Sequence, residues 1–81
     1  RPPDDALLWA VLIKLFNDRQ VTVSPDVLGY LLPRMEPSFA AARDIVSKAD
    51  HLALARKKSI SVSLMREILS HMQGSAQLPL L

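Results

Sequence analysis

Few residues in this chain have the type and spacing to do chemistry, and each candidate has a cheaper structural explanation. The two histidines, His51 and His71, are the obvious metal or proton-transfer groups. They fall on different helical segments, without an acidic residue at zinc-ligand spacing, whereas a zinc site needs three or four converging donors. Both read as surface or boundary histidines. Asp4-Asp5 looks like a carboxylate pair suited to acid–base work, but it stands where a helix start needs capping oxygens. Ser24, Ser38 and Ser61 also occupy cap positions, so none is a credible nucleophile. The only glycines, Gly29 and Gly74, are not followed by Lys-Ser/Thr, so no phosphate-cradling loop exists. Alone, this chain reads as no enzyme, with no metal or cofactor of its own.

Composition narrows the class further. Eighty-one residues make one small domain, and 49% hydrophobic against 22% charged residues is enough to fold. Four aromatics leave the core to Leu, Val, Ile and Ala. A net charge of +2 and no obvious basic stripe argue against direct nucleic-acid binding. The densest basic cluster, Arg56-Lys57-Lys58, reads as a solvated helix end, where cations complement the dipole. With no cysteine there is neither a disulfide scaffold nor a thiolate metal site, in keeping with a reducing cytosol. The strongly apolar stretch Ala6 to Phe16 is interrupted by Lys14 and far short of the ~20 residues of a membrane span. The chain opens on Arg1 rather than Met, as a fragment or a processed start would.

The elements that must position any site are helical. A first helix runs from Asp4 or Asp5 to about Arg19, with apolar residues over most of its circumference. Such a coat requires that the bundle wrap the helix or that a partner, including a second copy, cover its other face. Ser24-Pro25-Asp26 supplies a cap, a first-turn proline and a first-turn acid. That second helix should end near Arg34 or Glu36, with Pro33 kinking or cutting short its last turn. Ser38 caps the longest helix, in which Phe39, Ala42, Ile45, Val46, Ala49, Leu52 and Ala53 recur at helical spacing and Asp44 pairs with Lys48. Ser61 opens a last helix to about Met72, turning Leu64, Met65, Ile68 and Leu69 inward; Gly74-Ser75 then ends regular structure. The expectation is an all-α four-helix bundle over residues 1–73 with a flexible tail over 74–81.

The order of these elements, from Pro3-Asp4-Asp5 through Ser24-Pro25-Asp26-Val27 and Ser38-Phe39-Ala40-Ala41-Ala42-Arg43 to Glu67-Ile68-Leu69, resembles the lid subdomain of the bacterial DnaA/Hda family of AAA+ ATPases. The resemblance covers roughly residues 2–69. It implies a lid that packs on an ATP-binding core of the same chain, closes over ATP or ADP, and takes part in regulating replication initiation, with DnaA and the sliding clamp as partners. The family places a phosphate-sensing arginine in the first turn of the long helix, and Ala40 stands there in this sequence. Arg43, one turn on, is the shifted nucleotide-binding candidate; pairing with a surface carboxylate is its structural alternative. The stretch Gln77-Leu78-Pro79-Leu80-Leu81 resembles the clamp-binding pentapeptide, with Gln77, Leu78, Leu80 and Leu81 as its contacts, in a place where Hda does not carry it. The same stretch could instead dock on its own bundle or remain disordered. Two further readings stay open: a helix-turn-helix-like DNA-binding module and a free-standing helical adaptor. Localisation is expected to be cytoplasmic.

Overall fold

The computed structural model describes residues 3–77, and the side chains as far as Met72. Four α-helices form: α1 (Asp5–Asp18), α2 (Pro25–Leu31), α3 (Phe39–Arg56) and α4 (Val62–Gln77). A 3-10 turn, Leu32–Arg34, continues α2, and no strand occurs among the described residues. The expected all-α four-helix bundle is what forms. No helix among the described residues is long and apolar enough to cross a membrane.

The first helix starts where Asp4 accepts the Leu7 amide at 2.8 Å. Leu8, Leu12 and Phe16, spaced four apart, are buried in one stripe, while Trp9, Val11 and Leu15 are half-buried on its flanks. The bundle therefore wraps the greater part of the apolar coat and leaves Leu7 and Ile13 outside, 48% and 38% exposed. The helix ends in paired backbone bonds, Val21 N–H to Phe16 C=O and Gln20 N–H to Asn17 C=O, with Gln20 at φ 61°. This is the Schellman arrangement, made without the glycine that usually relieves its left-handed residue.

One expectation for α2 needs correction. Ser24 has the extended backbone of an N-cap, but its hydroxyl makes no cap hydrogen bond. Its carbonyl already accepts the Val27 amide at 3.1 Å, and Pro25 has no amide to offer, so few donors remain for the side chain. The helical segment ends at Arg34, and its last turn is cut short at Pro33 as expected, the α-helix proper stopping at Leu31. Pro33 lacks the N–H that would continue the ladder, and the chain tightens into the 3-10 turn.

In α3, Ser38 Oγ accepts the Ala41 amide at 3.0 Å, and Ala42, Ile45, Val46 and Ala49 form the buried stripe. Phe39, expected inside, is 41% exposed. Cβ atoms lean toward a helix's N-terminus, so a first-turn side chain projects beyond the neighbours that cover the rest of the stripe. The helix closes with a second glycine-free Schellman arrangement, Lys58 N–H to Ala53 C=O at 3.0 Å and Lys57 at φ 55°. Ser61 Oγ accepts the Leu64 amide at 3.2 Å to open α4, which buries Leu64, Met65, Ile68 and Leu69. That helix extends to Gln77, through residues 74–77 read as tail. A mid-helix glycine costs only about 1 kcal/mol relative to alanine. It weakens a helix without breaking it, and Pro79 is the next true breaker in the sequence.

Packing runs α1 on α3, α3 on α4 and α4 on α2, with the 3-10 turn touching α1. The shortest dimension, 19 Å, is that of two helix layers. The enclosed core is wholly apolar, and no buried polar side chain among the described residues lacks a partner.

Candidate functional site

The start of α3 is where the lid resemblance places nucleotide contact. Ala40 and Arg43 are both exposed there, one turn apart. Arg43 finds no carboxylate among the described residues, so the surface ion pair expected as its alternative role does not form. Of the clamp-binding candidates, Gln77 is the last residue of α4. Leu78, Leu80 and Leu81 lie outside the described residues.

Among the basic cluster, Arg56 departs from the solvated helix end that was expected. Its two Nη atoms donate to the two carboxylate oxygens of Glu67 at 2.6 and 2.5 Å, a fork-to-fork pair joining the end of α3 to α4. The hydrogen bonds from Arg56 hold the Glu67 carboxyl below its ordinary value; they also raise the Arg56 guanidinium. Two more pairs secure α3: Arg19 to Asp50 at 2.8 Å, from the end of α1, and the expected Lys48 to Asp44 at 2.7 Å.

The histidines are exposed, as expected, yet they are not independent. The apolar stripes of α3 and α4 pack as a hairpin, with the Arg56–Glu67 pair at its end, and His51 and His71 come to line one groove of about 480 Å³ between them. Leu52, Ala55, Ile68 and Met72 form its apolar part, and Lys48 stands with the histidines around it. Glu67, one helical turn before His71, lies 4.0 Å from its Nε2. Contrary to expectation, His71 thus has an acid at helical spacing beside it. Among the described residues no three His, Cys, Asp or Glu side chains converge as a metal site.

A third cluster escaped sequence reasoning altogether. The Arg34 guanidinium lies over the Tyr30 ring, 3.9 Å from its centroid, while its Nη1 donates to the Tyr30 carbonyl at 2.8 Å. Arg66, from α4, stands 5.8 Å from the same centroid. The Tyr30–Arg34 half carried a readable signal, the four-residue spacing that brings side chains together on a helical surface. The Arg66 half had none, because only the packing of α4 on α2 brings it there.

Comparison with protein-family models, with curated proteins and with solved structures returns no match for this chain.

Proposed function

We propose that this chain is the helical lid of a DnaA/Hda-like AAA+ protein and acts in the regulation of replication initiation. The observation that carries the reading is the order of elements and their starts: a capped first helix, a short Ser-Pro-Asp-initiated helix broken by Pro33, a long Ser38-capped helix, and a last helix carrying Glu67-Ile68-Leu69. In this reading the lid packs on an ATP-binding core supplied by the same natural chain. Arg43 contacts the nucleotide phosphates in place of the absent arginine at position 40. A guanidinium beside a helix N-terminus suits that task, since the helix end and the side chain both attract anions. DnaA and the sliding clamp are the proposed partners, with Gln77, Leu78, Leu80 and Leu81 as the clamp contacts, and the cytoplasm the proposed location.

The deciding experiment is nucleotide binding by the natural chain that contains these residues. ATP or ADP should bind through a phosphate loop upstream of Arg1. Arg43→Gln should weaken that binding about tenfold, the scale of one charge-assisted contact. A natural chain without an upstream phosphate loop would end the proposal. Unchanged affinity in Arg43→Gln would remove Arg43 from it.

A further inference from the structure

We infer that Arg34 and Arg66, arranged about the ring of Tyr30, form a binding site for a phosphate group. The site belongs to the α2–α4 side of the molecule, and its case does not depend on the lid reading. The first observation is where the positive charge is left uncompensated. Arg19 and Arg56 each hold a carboxylate, but among the described residues neither Arg34 nor Arg66 does. Glu67, adjacent to Arg66 in sequence, is turned to Arg56 instead. Two like charges thus stand about one ring, neither in an ion pair among the described residues, and an incoming anion would neutralise both.

Geometry limits the anion. Since both guanidinium carbons refer to one ring centroid, they stand no more than about 10 Å apart, near the span one tetrahedral oxyanion can bridge with charge-assisted hydrogen bonds. Arg34 is held in advance: its guanidinium lies over the half-buried Tyr30 ring and one of its donors is fixed by the Tyr30 carbonyl. Its other N–H groups remain to donate. Two cationic forks match a phosphate carrying nearly two negative charges better than a carboxylate carrying one. The ring face beneath Arg34 is already occupied, so that face is closed to a stacked base.

The test titrates pyrophosphate and, separately, glycerol phosphate into the full chain while the arginine Nε–Hε resonances are followed by NMR. Saturable shifts of Arg34 and Arg66 together are expected, diminishing as salt rises because the site is exposed. Whichever probe binds more tightly then distinguishes a free from a carried phosphate. Arg66→Gln, which leaves the Arg34–Tyr30 stack in place, should weaken binding about tenfold. Arg66→Lys should weaken it less, and Lys58→Gln, a change at an exposed cation outside the site, should leave the shifts at Arg34 and Arg66 unchanged. The inference is overturned by non-saturating shifts, by equal affinity for a dicarboxylate such as glutarate, or by a Gln variant that lowers thermal stability while binding persists. It is also overturned if Lys58→Gln has the effect assigned to Arg66→Gln.

Discussion

The α3–α4 hairpin and the α2 segment with its 3-10 turn use the same kinds of residue to opposite effect. In the hairpin the polar devices close on partners: Ser38 and Ser61 cap, and Arg56 meets Glu67. On the α2 side Ser24 caps nothing, and Arg34 and Arg66 meet a ring and no acid. Residue type is not what differs. A serine caps only if the backbone leaves it an amide, and an arginine forms an ion pair only if the fold presents it an acid.

The largest effect should come from the helix both regions share. Met65 is fully buried on α4, which packs on α2 and on α3, so Met65→Ala should cost roughly 2–5 kcal/mol. Denaturant unfolding should show one transition by both a Trp9 probe and far-UV dichroism. Two transitions would mean that the regions are separate units and the comparison is between domains. Next are the caps themselves. Ser38→Ala should cost about 1 kcal/mol and Ser24→Ala only a few tenths, read as shifts in the denaturant midpoint. Equal losses would show that Ser24 caps in solution.

Third, Lys57→Gly at the end of the hairpin helix should stabilise by up to about 1 kcal/mol. The left-handed penalty for a lysine exceeds the added chain entropy of glycine. A scanning-calorimetry midpoint that falls would refute it. The smallest effect concerns Arg56 and Glu67. Glu67 has its folded carboxyl held below the ordinary range, so the pair's contribution is complete above that range and fades as pH falls through the lowered value. Both side chains are substantially exposed, so the effect is modest. Glu67→Gln should flatten the stability curve below about pH 4.5 relative to the parent. An unchanged acid limb would mean that the pair does not persist in solution.

Much of this was legible beforehand because it is local. The Asp4, Ser38 and Ser61 caps, the Asp44–Lys48 pair and the buried stripe Ala42, Ile45, Val46, Ala49 all follow from spacing along one helix. Phe39 was misplaced because periodicity names a face and not how far along the helix that face is covered. Gly74 looks like a stop in the sequence because a weak breaker resembles a strong one without the rest of the helix in view. For the candidate sites, Arg43 was legible as an exposed cation near a helix start. The joint groove of His51 and His71 and the arrival of Arg66 at Tyr30 were not.

By itself the sequence determined an all-α chain with an apolar core, because caps, prolines and a 3.6-residue period act within a few residues of one another. Only the tertiary structure decided which charges would be neutralised. Turning Glu67 toward Arg56 leaves its neighbour Arg66 facing Tyr30, and that choice depends on how α4 lies across both α2 and α3.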